Sequence, residues 1–423
     1  MRDQGGLPAE VVGLRRLFHA RPEPAFTEVW TAATVAGELR RLGYRVTAGA
    51  EAMDGSLVPM PPGADTLAEA AERARTWGAG DADLAAVRDG STAVIAEREG
   101  DRPGPTVAVR VDMDALPLRE SHEPGHAPAR EGFVSVHDGF MHACGHDGHV
   151  AIGLDLARRL ADGAFPGRVR LLFQPAEEGG RGARAMLGRH AVDGVDRLYA
   201  IHLGLGLPSG TVAAGTHGFF ATAKLRITFT GRQAHASAAP EEGRNALLAA
   251  ASATLGLHAL PRFAAADTRV NVGVLRAGTA PNIVAAHAEL LAELRSPDGG
   301  VCDELERRAR AVLDGAATAH GVEVAVERIG ASTTADCDPG IVATVAAAAS
   351  GVPGVTAVAD THPIGASDDA TLLMRAVQER GGEATYIGFG ASSPAPHHSP
   401  EFDIDEASLP IAVSTLERAI RAR

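Results

Sequence analysis

Residues 141–149, MHACGHDGH, place one cysteine and three histidines within nine positions of a chain that has only two other cysteines. Cys144 and His146 lie two apart. An extended or turning segment therefore directs both at one point, where sulfur and nitrogen donors suit a transition metal. A lone Cys-x-His pair arises often by chance and then reads as a buried cysteine beside surface histidines. This pair has company. Asp112 and Asp114 occur in RVDMDALP, Glu177 and Glu178 in FQPAEEGG, His202 in AIHLG, and His397 and His398 in APHHSPEF. Each group ends or follows a segment that reads as a buried strand, and open α/β sheets deliver functional residues at the C-terminal ends of their strands. A single acidic pair is usually a solvated loop. Four such groups, with Cys144 and His146, are poorly explained that way.

Cys144, His146, one glutamate, His202 and one distal histidine would make a five-residue site of mixed S, N and O donors. That is too many groups for one tetrahedral ion, and it points to two metals sharing a bridging ligand. Glu177 and Glu178 are adjacent, so on an extended segment they point opposite ways. One can bind metal while the other serves as general base toward water. A site so equipped does hydrolysis rather than redox chemistry.

The elements that must position these groups alternate. Residues 12–20 and 29–42 read as amphipathic helices, the second with Val35, Ala36, Leu39 and Leu42 on one face and Gly43 as its stop. Strands are expected at 44–48, 92–96, 106–111, 169–173, 198–202 and near 386–389, with a helix over 149–160 after the cysteine motif. This order specifies a three-layer α/β domain. Near Gly215 the character changes. Strand 223–229, helix 245–260, strands 269–275 and 289–294, helix 301–320 and strand 322–327 make the split βαβ pattern of a small α+β domain. Alternation resumes after about Thr333. The second domain, 216–331, is therefore read as inserted into the first, 1–215 and 332–423. Residues 51–90 form a further insert: a Met/Pro-rich loop, then a helix with Leu67, Ala70, Ala71, Ala74 and Trp77 on one side. That stripe needs cover. It is expected at the mouth of the site or at a contact between subunits, with capping of the domain's own core as an equal alternative.

Composition bounds the rest. A chain of 423 residues, 45% hydrophobic and 22% charged, is long for one core and globular in balance. Its net charge of -13 and lack of a basic stripe make nucleic acid and anionic membrane poor partners. The opening MRDQGGLPAEVVGLRR has no apolar run suited to export, and no stretch approaches a membrane span. Three cysteines, Cys144, Cys302 and Cys337, argue against a disulfide framework and for a cytoplasmic location.

The stretches RVDMDALP, MHACGHDGH, FQPAEEGGRGA, AIHLG, GRQAHASAAPEEGRNAL, APNIVAAHAELLAELR and HHSPEFDIDE run in this order over nearly the whole chain. Together they resemble the dinuclear metal-dependent amidohydrolases that include aminoacylases, hippurate hydrolases and indole-acetyl amino-acid hydrolases. Within that family the insert, GFMHACGHDGH, EEGRNALLAAA and the ending HHSPEFDIDE are most similar to the A-type branch of the aminobenzoyl-glutamate hydrolases. The resemblance implies a metallopeptidase-like catalytic domain with an inserted ferredoxin-like α+β lid and dimerisation domain. It implies two divalent cations, Mn2+ or Zn2+, held by Cys144, His146, Glu178, His202 and His398. His398 takes precedence over His397 because the family pattern is His-x-Pro and Pro400 sets the register. Glu177 is implied as general base, with Asp112 and Asp114 supporting the ligands from beneath. His235 is implied as an oxyanion donor in a partner subunit's site, and Asn282 and Arg295 as holders of the substrate carboxylate. The family often has Gly-Ser-Glu-Asp where this chain has Ala366-Ser367-Asp368-Asp369, which puts a supporting role for the shorter Asp368 in question. Cys302, Cys337, His19, His149 and His217 read as structural, the histidines without a convincing partner.

The expected reaction is hydrolysis of the amide of an N-acyl amino acid, p-aminobenzoyl-glutamate first, with indole-acetyl-aspartate or a broader range of N-acyl amino acids as alternatives. The expected assembly is a homodimer or a heteromer with a related subunit. The alternative of another class is a non-catalytic partner of an active paralogue, and the intact set of ligands with Glu177 weighs against it.

Overall fold

The computed structural model describes residues 7–422. Residues 1–6, which open the segment read above for export, and residue 423 lie outside the described residues. The chain divides into two compact units. One comprises Met1–His217, Ala335–Ile364 and Asp368–Arg423; the other comprises Gly218–Thr334 and Gly365–Ser367.

Strands that bury both faces need cover on both sides. In the first unit, runs such as Val169, Leu171, Leu172 and Phe173 are fully or almost fully buried. They belong to an eight-stranded sheet in the order 45–48, 94–99, 166–174, 102–112, 197–203, 383–389, 211–213 and 357–359. Pro166–Gln174, Arg102–Asp112, Arg197–Leu203 and Glu383–Phe389 are parallel neighbours, so their C-terminal ends open along one edge. Antiparallel strands flank them on both sides. Helices Val11–His19, His146–Leu160, Pro339–Ala349 and Ser408–Arg421 pack together as one layer. Gly182–Leu187 and Ala370–Gln378 pack against each other as another, the first on the 166–174 strand and the second on the 197–203 and 383–389 strands. Phe18, Val109, Leu154, Phe173, Ile201 and Phe389 share one continuous core.

The helix after the cysteine motif starts at His146, three residues before its expected start. Gly145 has φ 88 and turns the chain, and Gly148 lies within the helix. A Cβ at Gly148 would stand 2.6 Å from Leu203 Cδ1, so glycine is what lets this helix sit close on the sheet.

The 51–90 insert packs on its own unit. Helices Ala64–Thr76 and Asp81–Val87 lie against Val29–Arg41. Ala70, Ala74, Leu84 and Val87 join the main core, and Trp77 meets Trp30 edge-on with ring centroids 5.9 Å apart. Capping of the core, the second alternative above, describes this helix pair. The preceding loop reaches the helix after the glutamate pair, where Asp54 N donates to Ala185 O at 2.8 Å.

The second unit carries a four-stranded antiparallel sheet in the order 323–332, 221–230, 287–296, 269–277, with helices Ala246–His258 and Gly299–His320 between strands in the split βαβ order. Ile227, Phe229, Leu290 and Leu313 centre its core. Helix Ala246–His258 is apolar nearly all round. It buries Ala249, Ala250, Ala253 and Leu257 and exposes Leu247, Leu248 and Leu255.

Candidate metal centre

The turn at Gly145 brings Cys144 and the first helical residue, His146, to the edge where the parallel strands end. His146 Nδ1 donates to the Asp114 carbonyl at 2.8 Å, and His202 Nδ1 donates to the Leu203 carbonyl at 2.7 Å. Each ring is thereby fixed with its Nε2 lone pair free, the usual preparation of a metal-binding imidazole. Among the described residues, His146 Nε2 is buried without a hydrogen-bond partner, and so is Glu178 Oε1. His202 Nε2 lies 3.6 Å from Cys144 Sγ. Donor atoms of Cys144, His146 and His202 lie within 4.8 Å of one another, as do those of Cys144, Glu178 and His398, and those of His146, Glu177 and Glu178. Buried donor atoms left bare are costly unless something binds them, so these residues fit cations. Cys144 and His146 each belong to two of the groups, which fits a shared pair of ions.

The electrostatics agree. Burial, then the Glu178 carboxylate, pushes the Cys144 thiol well above its ordinary range. A cation is therefore needed to hold it as thiolate. Burial opposes charge on His146, yet Asp112 and the bond to Asp114 hold this ring well above the usual imidazole range, so these surroundings favour positive charge at Nε2, which a cation would supply in place of a proton. Burial and the neighbouring His149 hold His202 well below it. Glu177 is pushed well up by burial and by the Asp368 and Glu178 carboxylates. Both distal histidines reach the centre. His397 Nδ1 is 3.5 Å from Cys144 Sγ, and His398 Nε2 is 3.4 Å from Glu178 Oε2.

Beneath these groups lies a network of buried hydrogen bonds. Asp114 accepts the backbone N–H of Glu177 at 2.9 Å and of Glu178 at 3.1 Å. Asp112 Oδ1 accepts from His149 Nδ1 at 2.5 Å, and His149 Nε2 accepts the Leu203 N–H at 3.0 Å. His149 thus has two partners, against the expectation of none. His19 lies between Asp147 and Glu120 at 2.8 Å each, and His217 pairs with Thr361 Oγ1 at 2.8 Å. Asp112 Oδ2 accepts from Arg110 Nη1 at 2.6 Å. Arg110 is fully buried, and it also donates to Gln174 Oε1 at 2.9 Å, Asp368 Oδ1 at 3.1 Å and Asp369 Oδ1 at 3.3 Å. The Tyr386 hydroxyl donates to Asp368 Oδ2 at 2.6 Å. Asp368 therefore does have a supporting place despite its short side chain. Arg110 and Tyr386 were not anticipated; the one signal for Arg110 is a charge in the middle of the buried run VAVRVD.

The remaining expected residues lie in the second unit. His235 is exposed, and its Nδ1 accepts the backbone N–H groups of Ser237 at 3.3 Å and Ala238 at 3.2 Å. Asn282 is its neighbour, its carbonyl accepting the Ala236 N–H at 3.0 Å. Arg295 is held in a fork by Glu293, at 2.5 and 3.1 Å.

Residues 108–422 match the model of peptidase family M20/M25/M40. The chain is 46% identical over 407 residues to the A component of p-aminobenzoyl-glutamate hydrolase from Escherichia coli strain K12, spanning 96% of this chain and 93% of that one. It is 46% identical over 411 residues to indole-3-acetyl-aspartic acid hydrolase of Enterobacter agglomerans, spanning 96% and 94%. A crystal structure of an aminobenzoyl-glutamate utilization protein from Klebsiella pneumoniae matches with a TM-score of 0.83 at 40% identity, covering 97% of this chain and 94% of that one.

Proposed function

The chain belongs to the peptidase M20/M25/M40 family and is a metal-dependent amidohydrolase; on that premise we propose that it splits the amide between an aromatic acyl group and an acidic amino acid, p-aminobenzoyl-glutamate foremost. Two relatives are named for such substrates, p-aminobenzoyl-glutamate hydrolase and indole-3-acetyl-aspartic acid hydrolase. Equal identity to both makes indole-acetyl-aspartate the second reading.

Cys144, His146, Glu178, His202 and His398 are proposed to hold two divalent cations. Thiolate and imidazole favour zinc, and the carboxylates also suit manganese. When bound, the cations would supply positive charge that polarises the scissile carbonyl. The observation that carries the reading is the pair of neighbouring glutamates with different surroundings: Glu178 beside Cys144 and His398, Glu177 beside Asp368 and Asp369, with His146 near both. Glu177 is the proposed base. It takes a proton from the attacking water as the oxygen bonds to the carbonyl carbon, and passes that proton to the amine nitrogen as the C–N bond breaks. His235 accepts at Nδ1, so its neutral ring carries hydrogen on Nε2. That tautomer suits donation to an oxyanion in a partner's site. Asn282 and Arg295 are proposed to hold the substrate carboxylate, with Arg295 exchanging Glu293 for it.

The exposed Leu247, Leu248 and Leu255 and the sheet-edge strand Arg269–Ala277 support a dimer made through the second unit, with a like or related chain. A cytoplasmic location is proposed from the three free cysteines. Among the described residues no helix is long and apolar enough to cross a membrane.

The test is a hydrolysis panel on zinc- or manganese-loaded protein: p-aminobenzoyl-glutamate, indole-acetyl-aspartate, hippurate and N-acetyl amino acids. Highest kcat/KM on the first is expected. A clear preference for N-acetyl amino acids would discard the aromatic-acyl reading.

A further inference from the structure

Glu177 and Glu178 follow Ala176, whose φ of 54 is one that non-glycine residues avoid. Something must hold it there. Ala176 N donates to Glu28 Oε1 at 2.9 Å. Glu28 Oε2 accepts from the Thr92 hydroxyl at 2.8 Å. Glu28, Thr92 and Ala176 are all fully buried. The Ala176 carbonyl is also occupied, accepting from Arg181 N at 3.1 Å and Gly182 N at 3.2 Å. The next two backbone N–H groups, of Glu177 and Glu178, end on Asp114. Three consecutive N–H groups thus terminate on two buried carboxyl groups brought from distant parts of the chain.

We propose that Glu28 is a positioning residue for the reaction: by holding Ala176 in its left-handed conformation, it sets the directions in which Glu177 and Glu178 leave the backbone. Glu28 is itself out of reach of any substrate, since it has no exposed surface. Without it, the Ala176 N–H would be buried unpaired, and the loop would relax toward an ordinary φ that swings both glutamates. The hydrogen bonds, rather than a charge, do the holding. Burial and the neighbouring Asp114 push Glu28 up to about 8, which favours its uncharged form. Glutamine can stand in for it, with its amide oxygen accepting from Ala176 N and its amide nitrogen donating to the Thr92 oxygen once that hydroxyl turns its own proton away.

This inference rests on the roles proposed for Glu177 as base and Glu178 as ligand. Its test uses the full chain with Glu28→Leu, Glu28→Gln and Thr92→Val. Two readouts are taken: kcat and KM of the zinc-loaded enzyme, and Zn2+ affinity from calorimetric titration of the metal-free protein. Misplacing a reacting group by an ångström can cost about a hundredfold in rate, and losing an outer partner of a metal site about tenfold or more in affinity. Glu28→Leu should therefore lose about a hundredfold in kcat with KM within about threefold, and about tenfold in Zn2+ affinity. Glu28→Gln should keep both within about threefold, and Thr92→Val should show the same pattern at about a third to a tenth of wild-type kcat. Wild-type values in Glu28→Leu would overturn the proposal, as would equal losses in Glu28→Gln and Glu28→Leu. Should Glu28→Leu not fold, Thr92→Val decides, and behaviour indistinguishable from wild type overturns it. A wild-type enzyme inactive on the whole substrate panel would unseat the substrate reading, while the zinc titrations would still judge the clamp.

Discussion

Arg110, at the floor of the centre, and Glu178, at its rim, both bury polar atoms within the same unit and are treated in opposite ways. The Arg110 guanidinium meets Asp112, Gln174, Asp368 and Asp369, and Tyr386 and Ala370 N complete the bonding of Asp368. Among the described residues, neither Glu178 Oε1 nor His146 Nε2 has a hydrogen-bond partner. A saturated polar network fixes one arrangement of its members, whereas unpaired buried donors raise the energy of the fold and are retained where something binds them. The floor is thus built for rigidity and the rim for capture.

That contrast can be broken at the rim first. Cys144→Ser replaces a thiolate by a poor metal ligand. Metal content and turnover should both fall to background, and full metal content with normal turnover would remove Cys144 from the centre. The floor should show the next largest effect, and on stability rather than chemistry. Removing one member of a buried charged cluster costs about 3–5 kcal/mol. Arg110→Met should lose about that much in denaturant unfolding of metal-free protein, whereas Glu178→Gln, which gives up no partner at Oε1, should stay within about 1 kcal/mol. Equal losses in the two variants would erase the distinction. Glu177→Gln comes third. Loss of a general base should lower kcat by about a hundredfold, near 2.7 kcal/mol, with metal retained. Loss of metal along with rate would mean that Glu177 and Glu178 have been assigned in reverse.

A further effect, on the pH dependence of stability, lies away from the centre. Glu23 is fully buried and accepts from Trp30 N at 3.1 Å and Thr31 N at 2.8 Å. Burial nevertheless pushes it up to about 7, against those bonds and Arg73. A carboxyl raised on folding binds more protons folded than unfolded between the two pKa values. Its contribution is complete below about pH 4.5 and is lost as pH rises through about 7. Wild type should therefore lose stability relative to Glu23→Gln across that window, by at most about 3 kcal/mol. A pH-independent difference would show that the N–H groups, not burial, govern this carboxyl.

Much of the rim was legible in the sequence, because each of its residues sits in a short motif at the end of a strand whose apolar run is readable. The floor was not. Arg110 and Asp368 are 258 positions apart, and one charge in a buried run does not name its partners. Glu28 is hidden for the same reason: its partners Thr92 and Ala176 lie 64 and 148 positions away. His149 seemed idle because one of its partners is the backbone N–H of Leu203, which leaves no trace in residue types. The strand and helix order was readable in the second unit, and in the first for the longer strands, whereas the short strands Thr211–Ala213 and Ala357–Ala359 and the helix Gly182–Leu187 were not read. The early start of the helix at His146 was missed because Gly145 and Gly148 look like breakers, although one is the turn and the other a close-packed helical position.

The backbone at Ala176 also limits how this chain can vary. With φ at 54, the position disfavours valine, isoleucine and threonine, whose branched Cβ crowds the left-handed region, and it admits alanine, glycine or asparagine. Drift at this one site is therefore confined by stereochemistry, whatever substrate selection acts on the neighbouring glutamates. In a library randomised at position 176, survivors should sort by tolerance of positive φ rather than by size or polarity.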